Sequence, residues 1–255
     1  MIPIKKPNEI AIMEKAGKIL ADVLYEVCSY AKPGVSELEL DRMAEELIIK
    51  KGGEPGFKKV EGYHHTLCVA TNNVVVHGIP GNYKLKEGDI IGLDCGVFLE
   101  GFHTDMAETV YVGNKAKMPA EIKRFLELGK QGMLAGIEQV RPGNRVGHVS
   151  KAIQDIVEKK GGYGVTRSLI GHGVGRELHE EPEVPGYLEG KIEKTPLLKP
   201  GMTIAVEVIY NMGSPEVMYS GEDDWTIVSA DGSLGGLFER TVLVTPTGHK
   251  LITES

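Results

Sequence analysis

The sequence lacks the features that mark exported and membrane proteins. It has only three cysteines, Cys28, Cys68 and Cys95, and no pair of them has the CxxC spacing of a zinc or redox motif. An odd number of widely spaced cysteines is typical of reduced thiols rather than of a disulfide framework. Charged residues interrupt positions 1–20, so no apolar run there is long enough for a signal peptide or a membrane span. We therefore expect a cytoplasmic protein that does not associate with membranes.

The chain also lacks a basic stripe and a flexible linker. Its formal net charge is −7 and its lysines and arginines are scattered, which argues against duplex nucleic acid as a partner. No stretch rich in proline, glycine and serine separates two parts of the chain. Because 41% of its 255 residues are hydrophobic, the chain can bury a sizeable core. One large domain or two smaller ones are both compatible with this length, and the absence of a linker favours a single domain that spans residues 1–255.

Helical and strand-like patterns occur in the same order twice. Apolar residues recur at helical intervals from Asn8, and Ser36 with Glu39 forms a capping box for a second helix. After Pro119 two further helical patterns follow, each ended by glycine. Predicted strands come after each helix pair, over residues 66–71, 74–76, 90–98 and 104–112, and then over residues 203–210, 225–228 and 239–245.

The two halves also match in sequence. In each, a Leu-Lys-X-Gly turn is followed at the sixth residue by an acid, Asp94 in the first half and Glu207 in the second, 113 residues apart (94 to 207). His77 and His172 likewise both precede glycine. We therefore predict an α+β fold in which two related halves, about residues 1–115 and 116–255, form one pseudo-symmetric domain.

Asp94 and Glu207 are each predicted to end an apolar strand. Burying an ionised carboxylate without a partner is costly, so a cation is expected nearby. A hairpin turn at Leu99-Glu100-Gly101 would bring Asp94 opposite Asp105 or one residue off, where like charges repel. A metal ion between them would turn this repulsion into binding. Oxygen ligands with an imidazole suit Mn, Fe, Co or Zn.

Three residues could complete such a site: His172, Glu207 and Glu239, the last of which is predicted to begin a strand. Four carboxylates and one histidine carry too much negative charge for one ion. Two metal ions bridged by two of the carboxylates would balance it, and paired ions activate water for hydrolysis.

Each of these residues also has an interpretation without metal. Asp94 could accept backbone hydrogen bonds at a turn, His172 could be an ordinary loop histidine, and Glu239 could form a surface ion pair with Arg240. Glu180-Glu181 is expected to be a solvated acidic run. The joint pattern across both halves favours the metal site.

Motifs distributed over nearly the whole chain, from Ile4 to about Thr247, together resemble a known family. They are VVVHGIP at 74–80, LDCGVFLEGFHTD at 93–105, GHGVGRELHEEP at 171–182, DWTIVSADGS at 224–233 and FERTVLVT at 238–245, together with the acid at 207. The set resembles type I methionine aminopeptidases. The resemblance implies the pita-bread fold, in which two α+β halves related by a pseudo-two-fold axis surround a central curved antiparallel sheet.

The resemblance also implies an activity. The chain would be a metal-dependent exopeptidase that removes the initiator methionine from peptides and nascent proteins whose second residue is small. It would act as a monomer in the cytoplasm, near the ribosome. The chain lacks the N-terminal zinc-binding extension of eukaryotic type I members and the insertion of type II, which implies a catalytic core of bacterial size.

Metal ligands follow from the resemblance residue by residue. Asp94 would bind one divalent ion, His172 and Glu207 would bind the other, and Asp105 and Glu239 would bridge the two. The ions could be Co, Mn, Fe or Zn.

Catalytic and substrate-binding residues follow in the same way. Glu207 would transfer a proton, and His77 and His179 would contact the scissile amide and the peptide beyond it. Positions that line the family's methionine pocket are matched by Tyr63, Cys68 and Trp225.

Four places depart from the family pattern. Leu178 stands where an aromatic residue is common, Val208 replaces a proline, Gly235-Gly236-Leu237 replaces a Ser-Ala-Gln type of run, and Arg240 replaces a histidine. None is a predicted ligand, so these departures bear on pocket shape and substrate preference.

Other functions remain open at this stage. An Xaa-Pro peptidase of the same fold is one, although such enzymes usually carry a large additional N-terminal domain. A binding protein that kept the fold but lost catalysis is another. A mononuclear iron oxygenase is weaker, because its two histidines and one carboxylate would leave three of the acids unexplained.

Overall fold

The computed structural model describes residues 2–254, so the predicted outer bounds of the domain, Met1 and Ser255, lie outside the described range. Each half begins with two helices, as predicted. They are α1 (Pro7–Tyr30), α2 (Glu37–Lys50), α3 (Ala120–Ile137) and α4 (Val146–Gln154), the last continued by a π-helical stretch over Asp155–Lys160. The capping box is confirmed, since the Ser36 amide donates to the Glu39 carboxylate at 2.7 Å and the Glu39 amide to the Ser36 hydroxyl at 3.3 Å. Among these described helices, none is long and apolar enough to cross a membrane.

Strands form at all of the predicted places, together with several short ones that the sequence patterns missed. The first half contains β1 (Glu54–Pro55), β2 (Leu67–Thr71), β3 (Val74–Val76), β4 (Ile90–Leu99) and β5 (Phe102–Tyr111). The second half contains β6 (Gly164–Val165), β7 (Gly171–Gly173), β8 (Glu180–Val184), β9 (Thr203–Asn211), β10 (Val217–Tyr219), β11 (Ile227–Ser229), β12 (Gly235–Val244) and β13 (His249–Leu251).

A ten-stranded sheet joins the two halves. Its main path runs β1-β4-β5-β12-β9-β7-β8, with β2, β6 and β13 paired to β4, β9 and β12. All of the pairings are antiparallel, and the central neighbours β5 and β12 come from different halves. A separate sheet has the order β10-β11-β3. The expected duplicated α+β architecture around a central antiparallel sheet is therefore present.

Strand alternation explains how acids occur within apolar strands. Leu93 and Cys95 of β4 pack with α1 and α2, whereas Val206 and Val208 of β9 pack with α3 and α4. Neighbours along a strand point to opposite faces of the sheet, so Asp94 points away from the helices. Both helix pairs thus cover one face, and the acids lie on the other.

The expectation that three acids lie at strand ends is wrong, although the predicted ranges 90–98 and 203–210 agree closely with β4 and β9. Asp94 is the fifth of ten residues in β4, Glu207 the fifth of nine in β9, and Glu239 the fifth of ten in β12. None of these acids ends or begins a strand. A strand with one face on a helical core tolerates a polar residue in its interior because that residue occupies the opposite face.

The predicted hairpin is present but has a different register. Leu99 pairs with Phe102, and Glu100 and Gly101 form a two-residue turn in which both have positive φ, 47° and 90°. Asp94 therefore lies opposite Ala107, and the expectation that it lies opposite Asp105 or one residue off is wrong. With an offset of two residues, Asp94 and Asp105 are diagonal neighbours on the same face.

Candidate metal centre and active site

A row of residues crosses the sheet at the acids. Asp94 pairs with Ala107, Ala107 with Glu239, and Glu239 with Glu207, on the four neighbouring strands β4, β5, β12 and β9. Cys68 of β2 extends the row beyond Asp94. Directly opposed side chains share a face, so acids from both halves meet on the side away from the helices. The methyl group of Ala107 is the smallest side chain of the row and lies between two acids.

Asp105 and His172 complete the cluster. The Nε2 atom of His172 lies 4.0 Å from Oδ2 of Asp105 and 3.9 Å from Oε1 of Glu207. One ligand atom each from Asp105, His172 and Glu239 lie within 4.8 Å of one another. Five residues that are far apart in the sequence therefore converge.

Glycines on both sides of His172 allow β7 to lie close to its neighbours. A Cβ atom at Gly171 would lie 2.5 Å from the Ala205 carbonyl oxygen, and one at Gly173 would lie 2.3 Å from that of Glu181. The Nδ1 atom of His172 lies 2.8 Å from the Gly173 carbonyl oxygen. Because a carbonyl only accepts hydrogen bonds, Nδ1 carries the proton, and the Nε2 lone pair faces the acids.

Burial raises the pKa values of all four acids, and repulsion by neighbouring acids raises three of them further. Burial raises the pKa of Asp105 to about 7, and burial together with Asp105 raises that of Glu207 to about 8. The pKa values of Asp94 and Glu239 are raised well above their ordinary values, by burial first and then by the neighbouring acids. Burial also lowers the pKa of His172 to about 4, so its imidazole is neutral at pH 7.

Two oxygen atoms of the cluster have no hydrogen-bond partner. Oδ1 of Asp94 and Oε1 of Glu239 are buried and unpaired. Buried polar atoms are almost always satisfied, so such atoms in a cluster of acids call for a cation. Carboxylates with one neutral imidazole form a donor set that suits divalent ions. The residues present therefore fit a metal site.

A cavity of about 540 Å³ opens over this cluster. All ten residues that the sequence predicted for the site line it: Tyr63, Cys68, His77, Asp94, Asp105, His172, His179, Glu207, Trp225 and Glu239.

One end of the cavity is apolar. The Tyr63 and Trp225 rings meet edge to face at 5.1 Å between centroids, and Cys68 and Leu178 pack in the same cluster. Burial raises the pKa of the Cys68 thiol well above its ordinary value, which keeps the thiol neutral. Sequence reasoning missed Phe57, which lies in a short 3₁₀ turn and carries no periodic signal.

Two further histidines line the cavity beside the acids. His77 has φ of 55°, a left-handed backbone conformation that is costly for a residue with a side chain and is common at functional sites. Burial, helped by His179, lowers the pKa of His77 to about 4. The rings of His179 and His172 lie 4.4 Å apart, edge to face. Three imidazoles thus meet around the acid cluster.

The loop that carries His179 is fixed by a buried ion pair that the sequence did not reveal. Lys5 pairs with Glu180, and their side chains are only 1% and 6% exposed. The same carboxylate accepts a hydrogen bond from the Arg176 amide at 2.7 Å. The expectation of a solvated run at Glu180-Glu181 is therefore wrong for Glu180, because a lysine 175 residues away in the sequence neutralises it.

Arg240 is buried rather than part of a surface ion pair. Its guanidinium donates to the carbonyl oxygens of Ala107 and Glu239 at 3.0 and 2.7 Å, and to the Glu108 carboxylate at 2.6 Å. The interpretation of Glu239 and Arg240 as a surface pair is wrong, since the exposed fractions of the two residues are 3% and 4%. Arg240 instead joins the backbones of β5 and β12 next to the acid row.

Comparisons with known proteins identify the family of this chain. The model of metallopeptidase family M24 matches residues 11–246. A methionine aminopeptidase from Clostridium perfringens is 44% identical over 253 residues, and the match covers 99% of each chain. The crystal structure of methionine aminopeptidase from Thermotoga maritima has a TM-score of 0.95 at 39% identity and covers 100% of each chain.

A prolidase from Pyrococcus furiosus shares the fold at greater distance. Its TM-score is 0.77 at 23% identity, and the match covers 99% of this chain but 65% of that one. This likeness concerns the fold alone. The predicted pita-bread fold and the resemblance stated from the motifs are confirmed. The chain belongs to metallopeptidase family M24 and, within it, to the methionine aminopeptidases.

Proposed function

We propose that this chain hydrolyses the first peptide bond of peptides and nascent proteins and releases their N-terminal methionine, preferring substrates whose second residue is small. The observation that carries the proposal is the cluster of four buried acids and one neutral histidine beside an apolar pocket. Support comes from relatives that are named methionine aminopeptidase and match over their full length.

Two divalent ions are the proposed cofactors. Asp94 would hold one ion, His172 and Glu207 the other, and Asp105 and Glu239 both. Asp105 suits a shared position because its charge contributes to the raised pKa of each of the other three acids. Bound ions of this kind polarise a carbonyl group and lower the pKa of water.

The apolar end of the cavity is the proposed methionine pocket. Tyr63 and Trp225 supply two ring faces, and the neutral Cys68 thiol adds no charge. A thioether is flexible and packs favourably against aromatic rings, so a methionine side chain suits this space. Selection of the first residue would therefore depend on these side chains.

Proton transfer and amide placement are assigned to three residues. Glu207 is the proposed proton carrier, because it lies beside His172 among the proposed ligands, where a carboxylate can take up and release a proton during hydrolysis. His77, neutral at pH 7, can donate one hydrogen bond to the developing charge on the carbonyl oxygen. His179 would orient the peptide beyond the cleaved bond.

A panel of peptides tests the proposed specificity. Met-Ala-Ser should be hydrolysed by metal-reconstituted protein, whereas Ala-Pro and Gly-Pro peptides should be cleaved far more slowly. A preference for the proline series would identify an Xaa-Pro peptidase instead. Protein that binds metal but cleaves none of these peptides would identify a binding protein.

The assembly and setting of the enzyme are also proposals. We infer one catalytic domain, because strands of both halves share one sheet and the acid row crosses their junction. We further expect a cytoplasmic monomer that acts on nascent chains near the ribosome. Light scattering and cosedimentation with translating ribosomes would test these expectations.

A further inference from the structure

The junction between the two halves of the sheet has an unusually short backbone ladder. β5 and β12 pair directly only at Glu239 with Ala107 and at Arg240 with Met106. By contrast, β4 pairs with β5 over ten residue pairs, and β9 with β12 over nine. The strands that carry Asp105 and Glu239 therefore separate on both sides of the acid row.

A threonine hydroxyl replaces the backbone pairing next to Asp105. Extending the β5–β12 register by one pair beyond Arg240 and Met106 would place Thr241 opposite Asp105. There the Asp105 amide donates to Oγ1 of Thr241 at 2.9 Å, and this hydroxyl donates to the Asp105 carbonyl oxygen at 2.8 Å. The backbone of Thr241 instead bonds to Thr253 and Ile252, at 3.0 and 2.9 Å. The Thr241 side chain thus fills the gap between the strands.

A second threonine does the same on the other side of the row. The Leu237 amide donates to Oγ1 of Thr109 at 2.9 Å, and this hydroxyl donates to the Leu237 carbonyl oxygen at 2.6 Å. The two threonines are placed symmetrically about the acid row, since the contact of Thr241 with Asp105 and that of Thr109 with Leu237 each lie two residues from the Glu239–Ala107 pair. Both threonines are buried, at 4% and 0% exposure.

We propose that Thr241 is a positioning residue for the metal centre. Its hydroxyl holds both backbone groups of Asp105, the acid whose charge acts on the other three, while it keeps β5 and β12 apart. Thr109 makes the same two bonds to Leu237, which carries no ligand. The inference rests on the proposed function, because it takes Asp105 as a metal ligand.

Thr109 supplies a matched control for Thr241, because its hydroxyl makes the same two contacts with a residue that is not a proposed ligand. Thr241→Val and Thr109→Val each remove one hydroxyl, leave two buried backbone groups unpaired and keep the side-chain shape. We expect Thr241→Val to bind Mn²⁺ and Co²⁺ about 10- to 100-fold more weakly, the range found when groups that orient metal ligands are lost. Thr109→Val should bind both ions as the wild type does, and its loss of thermal stability should be comparable to that of Thr241→Val. Thr241→Ser, which restores the hydroxyl, should recover the affinity.

Calorimetric titration of the full chain with each ion gives the decisive comparison. Equal metal affinity of Thr241→Val and Thr109→Val, with the wild type binding normally, would overturn the inference and leave the proposed function intact. Should Thr241→Val fail to fold, Thr241→Ala removes the hydroxyl without placing a second methyl group in the gap, and the same comparison applies. Wild-type protein that binds neither ion would overturn both the inference and the proposed function.

Discussion

Metal binding to this chain should displace protons, and their number follows from the buried acids. In metal-free protein at pH 7, Asp105 has a pKa of about 7 and Glu207 one of about 8, while Asp94 and Glu239 are raised further. The cluster therefore holds protons that a divalent ion must replace, because only ionised carboxylates act as ligands. His172 is neutral at this pH and contributes no proton.

The two acids with defined pKa values set a lower limit. At pH 7 Asp105 is roughly half protonated and Glu207 roughly nine-tenths protonated, so at least about one proton is released, and about three if all four acids respond. In metal-free folded protein these acids bind more protons than they do in the unfolded chain. The lowered pKa values of His77, His103, His172 and His179 act in the opposite sense below about pH 6.5, because the folded chain binds fewer protons at these rings. The stability of metal-free protein should therefore fall as pH rises from about 6.5 to 8, where the acids dominate. The rise of the Asp105 pKa from 3.8 to about 7 means that ionising this carboxyl costs about 4 kcal/mol more free energy in the folded chain than in the unfolded chain.

Isothermal titration with Mn²⁺ in buffers of different ionisation enthalpy measures the protons released. Glu207→Gln should release about one proton fewer, because the amide does not ionise. Glu183→Gln removes an exposed carboxylate from the same cavity and should leave the number unchanged. Release of less than about half a proton by the wild type at pH 7 would refute the reasoning, as would metal-free protein that becomes more stable between about pH 6.5 and 8.

Three further changes test other parts of the site. Lys5→Met leaves the Glu180 carboxylate buried without a cation, so kcat/KM for Met-Ala-Ser should fall by about tenfold or more. Lys5→Arg keeps the positive charge and should retain most of the wild-type kcat/KM. Equal kinetics of the two variants would contradict a role for the ion pair. Ala107→Val places two more methyl groups between acids of the row, so elemental analysis should find fewer metal ions per chain than in the wild type. The same number of bound ions in the variant and the wild type would contradict this expectation. Arg240→Gln leaves Glu108 with only the half-exposed Lys130 as a cation and should lower the free energy of unfolding in urea by about 1.5 to 3 kcal/mol, the range for a hydrogen bond to a charged group. A loss of less than about 1 kcal/mol would contradict this expectation.

The residues that the sequence predicted as ligands converge in the structure, because the same pattern occurs twice. Asp94 and Glu207 interrupt apolar strands at equivalent points of two matching halves, and a buried carboxylate demands a partner wherever it lies. The register of the first hairpin was not predictable from composition, because Leu99 could belong either to the turn or to the strand. That single choice moved Asp105 from an opposite to a diagonal position.

Contacts between distant parts of the chain escaped prediction altogether. Lys5 with Glu180 and Thr241 with Asp105 are separated by 175 and 136 residues, and neither residue of either pair carries a periodic or motif signal for the other. Both contacts nonetheless hold segments that bear active-site residues. Local patterns thus identified the residues that converge at the candidate site, whereas the residues that hold their segments emerged only from the fold.

Neither half of the chain can assemble the metal centre alone. Asp94 and Ala107 come from the first half and Glu239 and Glu207 from the second, and the acids become neighbours only when β5 pairs with β12. That junction has only two directly paired residues on each strand, and in the metal-free protein it brings raised-pKa acids together. A ligand that binds the folded state alone stabilises it by mass action, so bound ions would strengthen the sheet at a junction where its backbone pairing is short. Closure of the sheet at this junction and convergence of the acids are therefore one structural event.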